Sequence, residues 1–319
     1  MPGGFPNRWA GEEFGRLSKL NLLFATLAAI VLFLFGLQEF SREIRSVGGS
    51  ALSDWLGRFT RSRWQGVLLG ALATAVLQSS SAVTSLTVGL VDGGAISFKS
   101  SLGILLGANV GTTSTAWLVS LKLTSIGPFF IVFGTILSAL PTRWKILGKT
   151  AFYFGFIFFS LDLVSGSLKP LQELPLFRAM LTRANSPSTG VVAGLLITAF
   201  VQSSSITTGL SILLVQQGML PATAAIPIVM GANIGTTSTG LLASLAMKRT
   251  ARRTALANLV FNVLGVALFL PFLSDFSAAV VELSSGPGLA VAWAHLVFNF
   301  VMTGVMLILL RVFSAWIPE

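Results

Sequence analysis

The chain has 319 residues, 53% hydrophobic and only 10% charged, with a formal net charge of +10 and no cysteine. A soluble domain carries about 25% charged residues, so the composition argues against a soluble nucleic-acid-binding protein. The absent thiols exclude disulfides and thiolate metal sites.

Several apolar runs of about 18–22 residues read as an all-α polytopic membrane protein, and their continuity argues against a β-barrel. Lys and Arg fall in the short loops, where the positive-inside rule puts them. Residues 1–19 form an N-terminal segment without a signal-cleavage pattern and lead into the first span, residues 20–37. Arg42 and Arg45 follow in a polar loop. Residues 54–63 read as a basic interfacial stretch with Trp55 and Trp64 as headgroup anchors.

Residues 66–77 then run apolar to Gln78-Ser79-Ser80-Ser81, and 82–91 run apolar to the turn signal Asp92-Gly93-Gly94. Each limb, at about 1.5 Å per residue, is too short for a hydrocarbon core of about 30 Å. A re-entrant helical hairpin over about 66–92, with its polar tip near the midplane, is the expectation; one long helix is the rival. Residues 102–119 contain Gly107-Ala108-Asn109-Val110-Gly111-Thr112-Thr113-Ser114-Thr115. This composition of poor helix formers predicts a discontinuous helix, unwound about 109–113. A span over 129–140 ends at Pro141, and Arg143, Lys145 and Lys149 read as a basic loop.

The pattern then restarts. Gln202-Ser203-Ser204-Ser205 and Gly231-Ala232-Asn233-Ile234-Gly235-Thr236-Thr237-Ser238-Thr239 repeat the two motifs at one offset, 202 − 78 = 124 and 231 − 107 = 124. The chain therefore divides into repeat 1 (20–143), repeat 2 (144–273) and an extra C-terminal span within 274–319. Repeat 2 has its hairpin at about 190–216 and its broken helix at about 222–245. Lys248, Arg249, Arg252 and Arg253 read as a second basic loop. With hairpins, each repeat crosses three times and the two are inverted; with single spans, each crosses four times and they are parallel. Lys and Arg divide 7 to 14 between the faces on either scheme, so charge does not choose. The hairpin scheme is preferred because it explains short limbs and paired motifs together.

Serine hydroxyls and a glutamine amide offer donors and acceptors at each tip. Buried in hydrocarbon, such groups need partners or a cavity. For a single run of serines, local bonding and close packing would suffice as an explanation. Two copies joined to two matching glycine-rich motifs favour a solute site between repeats. Gly103, Gly107 and Gly111 are also spaced as a helix-contact face. The asparagine and threonine oxygens suit an alkali cation. No lysine or arginine lies in either patch, so an anion held there needs co-bound cations.

The paired QSSS motifs, the paired GANxGTT motifs and His295-Leu296-Val297-Phe298-Asn299 resemble the type II sodium-dependent phosphate cotransporters, including the bacterial Na/Pi cotransporters. The resemblance implies inverted repeats with re-entrant hairpins and sodium-driven symport of inorganic phosphate. It implies phosphate at Ser79, Ser80, Ser81, Ser203, Ser204 and Ser205, with Thr113 and Thr237 alongside. It implies sodium at Gln78, Asn109, Thr112, Gln202, Asn233 and Thr236, in a multi-pass protein of the cell membrane. No organic cofactor is expected, and self-association is left open. The long extracellular loop of animal members and the soluble tail of some bacterial ones have no counterpart in the sequence.

His295, the lone histidine, is read as a helix-to-helix hydrogen-bonding residue, with proton handling as the alternative; Asn258 to Asn262 repeats its local pattern. Asp162, opposite Gln38 in the repeat, is read as a sodium ligand or proton sensor, with an interfacial acid as the alternative. Asp92 and Gln216 are placed at hairpin exits. An uncoupled phosphate exporter or channel is the alternative function. A serine enzyme is rejected, because no base lies near either QSSS and no nucleophile elbow is present.

Overall fold

The computed structural model describes residues 24–44, 62–121, 126–140, 143–168 and 186–312, with Asn21, Ser46 and Leu56 besides. The N-terminal segment, Arg45, Trp55 and the loop 169–185 lie outside the described residues. Among the described residues every regular element is helical. These are α1 (Phe24–Ile44), α2 (Arg63–Leu77), α3 (Ser80–Asp92), α4 (Phe98–Ser120), α5 (Gly127–Ser138) and α6 (Arg143–Leu168). The second half holds α7 (Pro187–Val201), α8 (Ser204–Gln216), α9 (Ala222–Ser244), α10 (Arg249–Phe269), α11 (Leu273–Leu283) and α12 (Pro287–Val312). Among the described residues, six helical stretches are long and apolar enough to cross a membrane.

The helices form two compact units. One takes in α1 up to Gln38, α5 and α6. In it α5 and α6 run antiparallel with glycines at the contact: a Cβ on Gly134 would overlap the Phe152 backbone, and one on Gly148 the Ser138 backbone. Thr26 on α1 donates to the Ser167 carbonyl on α6 (3.1 Å). Two expectations are corrected here. At 12 residues α5 is shorter than a full span. Arg143, Lys145 and Lys149 lie within α6 rather than in a loop, because Lys and Arg are good helix formers and Gly148 is needed against α5. Asp162 is exposed on α6.

The larger unit contains the remaining helices. Here the sequence repeat becomes a structural one, since α2, α3 and α4 recur as α7, α8 and α9 with both bounds shifted by 124 (187 − 63, 204 − 80, 222 − 98). The helix pairs α2/α4 and α7/α9 make equivalent contacts. Gly107 faces the Val67 carbonyl and Gly231 the Val191 carbonyl, so closely that a Cβ at either position would overlap the oxygen. Gly103, Gly107 and Gly111 meet Arg63, Val67 and Ala71 in ascending order, so α2 and α4 run parallel. The expected glycine contact face is therefore present.

The expected break within GANxGTT is not. Both α4 and α9 are continuous helices of 23 residues. Burial overrides intrinsic propensity here. Thr112 and Thr113 donate to the Ala108 and Val110 carbonyls (3.0 and 2.7 Å), and Ser114 donates to Gly111 (2.8 Å). The hydroxyls are thus satisfied within the helix instead of pulling it open. Thr236, Thr237 and Ser238 repeat the arrangement.

Arg249, Arg252 and Arg253 belong to the first turns of α10 rather than to a loop. Asp92, the last residue of α3, accepts the Lys248 N–H (2.6 Å) and so satisfies the backbone donor of the residue that precedes α10. Gln216, the last residue of α8, donates to the Ser120 carbonyl at the end of α4 (3.2 Å). The short amphipathic helix α11 was not anticipated; it follows a 3₁₀ turn at Leu270–Phe272.

Candidate functional site

Both QSSS motifs interrupt helices in the same way. Gln78 ends α2 and Gln202 ends α7 in the left-handed region, φ 51° and 57°. They are the only non-glycine residues with positive φ among those described. Such a conformation costs roughly 1–2 kcal/mol for a residue with a Cβ, so its presence at both copies marks a built feature. Ser79 and Ser203 follow in extended conformation, φ −151° and −148°, and start α3 and α8. Each motif is therefore a helix C-terminus meeting a helix N-terminus. The first-turn N–H groups of α3 and α8 have no backbone acceptor within the helix and carry the positive end of the helix dipole; in α3 the Ser79 hydroxyl accepts from the Ala82 N–H (3.3 Å), whereas α8 has no such side-chain cap.

The two tips meet. Ser81 donates to the Gln202 carbonyl (3.4 Å), linking tip to tip. Gln78 donates to Ser114 (2.9 Å) and accepts from Thr115 (2.9 Å). The Thr115 proton being spent on Gln78, its oxygen accepts from Ser205 of the other tip (3.3 Å). Ser80 and Ser204 are buried, and their side-chain hydroxyls, like that of Ser203, have no hydrogen-bond partner among the described residues. Three hydroxyls are thus left for a ligand beside two helix N-termini.

The two copies differ in one respect. Gln78 is folded onto α4, whereas the Gln202 side chain is exposed. Thr239, the counterpart of Thr115, is left with a buried Oγ1 that has no partner among the described residues. Ser114 and Thr115 were not singled out from sequence. The signal available was that they, like Ser238 and Thr239, complete the repeated nonapeptide.

The other candidates face elsewhere. Asn109 donates to Asn262 on α10 (3.3 Å), and Asn233 donates to Asn299 on α12 (3.0 Å). His295 Nε2 stands 3.2 Å from Asn233 Oδ1, and Asn299 donates back to the His295 carbonyl (2.8 Å). His295 therefore makes the interhelix bond expected of it. The Thr112, Thr113, Thr236 and Thr237 hydroxyls are buried and bonded to their own helices, which leaves lone pairs rather than protons to offer.

Among the described residues, helices alone, six of them membrane-length and apolar, with two matched polar breaks, make this a multi-pass membrane protein. A family model described as Na+/Pi-cotransporter matches it twice, over residues 32–166 and 163–284. The chain belongs to that family, which is one of transporters rather than enzymes. It is 33% identical over 295 residues to "Uncharacterized protein YqeW" of Bacillus subtilis, covering 92% of this chain and 96% of that protein. It is 28% identical over 286 residues to "Putative inorganic phosphate export protein YjbB" of Escherichia coli, covering 88% of this chain but about half (52%) of that protein. Over 114 residues it is 40% identical to "Sodium-dependent phosphate transport protein 2A" of Rattus norvegicus, 34% of this chain and 17% of the rat protein. No solved structure matches the chain.

Proposed function

We propose that the protein is a sodium-coupled symporter of inorganic phosphate that works by alternating access, with phosphate held between the two QSSS tips. The observation that carries this reading is the meeting of the tips, Ser81 against Gln202 and Thr115 against Ser205. A tetrahedral anion there has Ser79, Ser80, Ser81, Ser203, Ser204 and Ser205 and two helix N-termini around it, with Thr113 and Thr237 on the neighbouring helices. With no lysine or arginine in the motifs, the anion's charge is balanced by co-bound sodium. Oxygen atoms for it come from Gln78, Thr112 and Asn109, and from Gln202, Thr236 and Asn233.

The same reading makes the two repeats inverted and the two tips re-entrant. Its support is topological. α2 and α4 run parallel, and only the short turn after Asp92 separates α3 from α4. A chain that starts α4 beside the start of α2 needs α3 to return to the face that α2 entered. At 15 and 13 residues, each limb reaches only about 20 Å, short of a full crossing.

A second reading, an uncoupled phosphate exporter, is favoured by the name of the Escherichia coli relative. Radiolabelled phosphate uptake into proteoliposomes separates the two. The symporter accumulates phosphate with sodium outside and not with choline; equal uptake in both salts would overturn coupling.

A further inference from the structure

The start of α10 gathers Lys248, Arg249, Arg252 and Arg253, all exposed, with no acid in the first turn of the helix. Asp92 stands beside them, but its side chain goes to the Lys248 N–H and its carbonyl accepts from Lys248 Nζ (3.0 Å). Arg252 Nε donates to the Met247 carbonyl (3.1 Å), which orients the guanidinium and leaves its Nη groups without an acceptor among the described residues. Arg249 and Arg253 have no hydrogen-bond or ion-pair partner among the described residues. Arg63 and Lys99 lie at the same end of the unit, because Gly103 meets the Arg63 carbonyl and Ser101 stands 3.3 Å from Thr254. Their counterparts in repeat 2, Pro187 and Thr223, are uncharged (187 − 63 = 124, 223 − 99 = 124). The positive charge is thus a property of one end and not of the repeat.

That end lies at a membrane boundary. Trp64 is exposed there at the start of α2, as an interfacial anchor is, and α10 begins an apolar stretch long enough to cross. At about 100° per residue, Arg249, Arg252 and Arg253 share one side of α10 with Leu256, Val260 and Val263, and all six are exposed. The opposite side, with Ala251, Thr254, Ala255 and Asn258, is buried. A free anion needs the cations alone. A cationic strip that runs directly into an exposed apolar strip matches a molecule with a charged head and a hydrocarbon chain, and guanidinium forks suit phosphate oxygens. We infer that this face of α10 seats an anionic phospholipid, with its phosphate on Arg249, Arg252 and Arg253 and an acyl chain along Leu256, Val260 and Val263. The lipid braces a helix whose buried side bonds Asn109 through Asn262. The site is separate from the QSSS tips and depends neither on the transported solute nor on its coupling.

The test is thermal unfolding of the purified protein in an uncharged detergent, titrated with phosphatidylglycerol or with phosphatidylcholine. Native protein is expected to gain stability saturably with phosphatidylglycerol and not with phosphatidylcholine. Arg249→Gln/Arg253→Gln removes two cations that have no partner within the protein, and should raise the half-saturating phosphatidylglycerol concentration at least about tenfold. Lys145→Gln, which removes a cation on α6, should titrate like the native chain. If the double variant unfolds too readily to titrate, Arg253→Gln alone should shift the titration in the same direction. Equal responses to the two lipids, or a native titration in the arginine variants, would overturn the inference. So would a double variant that loses stabilisation by inorganic phosphate without lipid while its phosphatidylglycerol titration stays native, since the patch would then hold a free anion.

Discussion

Thr115 and Ser205 stand 3.3 Å apart, hydroxyl to hydroxyl, although they belong to different repeats. Thr115 is simultaneously bonded to Gln78, so one threonine ties the first tip's glutamine to the second tip's serine. Replacing Thr115 with valine removes both bonds with little change of shape. The expected outcome is near-native expression and a KM for phosphate raised about tenfold, with Thr115→Ser close to native. Uptake kinetics in proteoliposomes check it; an unchanged KM in the valine variant would detach this link from substrate binding.

Gln78 and Gln202 share a left-handed backbone but not a side-chain environment. Glycine relieves the backbone cost at both positions. At Gln202, whose side chain is exposed, Gln202→Gly should stabilise the ligand-free protein by roughly 1 kcal/mol. At Gln78 the lost bonds to Ser114 and Thr115 should cancel that gain. Unfolding of both variants without sodium and phosphate checks the difference, and equal shifts would contradict it.

Gly107 touches the Val67 carbonyl, whereas a Cβ on Gly89 meets open space. Gly107→Ala should therefore cost about 1–3 kcal/mol by forcing α2 and α4 apart. Gly89→Ala, within α3, should be neutral or stabilising by up to about 1 kcal/mol through helix propensity. Size-exclusion profiles and melting curves in detergent distinguish the two.

Asp92 receives the Lys248 N–H at the start of α10. Asp92→Ala should cost about 1 kcal/mol, the loss of one hydrogen bond, and Asp92→Asn should cost less because its side-chain oxygen still accepts. Melting curves of the two variants check the order.

The membrane class, the 124-residue repeat and the helix breaks at QSSS were legible because they rest on composition, spacing and motif identity. The continuity of α4 and α9 was not. Glycine, asparagine and threonine are poor helix formers in isolation, but in this chain the glycines admit a neighbouring helix and the threonines bond their own carbonyls. Propensity scales omit both effects. The roles of Ser114 and Thr115 depend on which helix the glutamine folds onto, which sequence spacing does not encode. The extension of α6 and α10 into basic stretches was missed because charge was read as loop, although Lys and Arg sustain helices well.

The most direct test of the account is calorimetric titration of phosphate into purified protein in sodium, for the native chain and for Ser80→Ala and Ser204→Ala. These two buried hydroxyls have no partner among the described residues, so their loss should leave the melting curve nearly unchanged and weaken phosphate binding at least about tenfold each. Native affinity in both alanine variants would contradict a phosphate site at the meeting of the two tips.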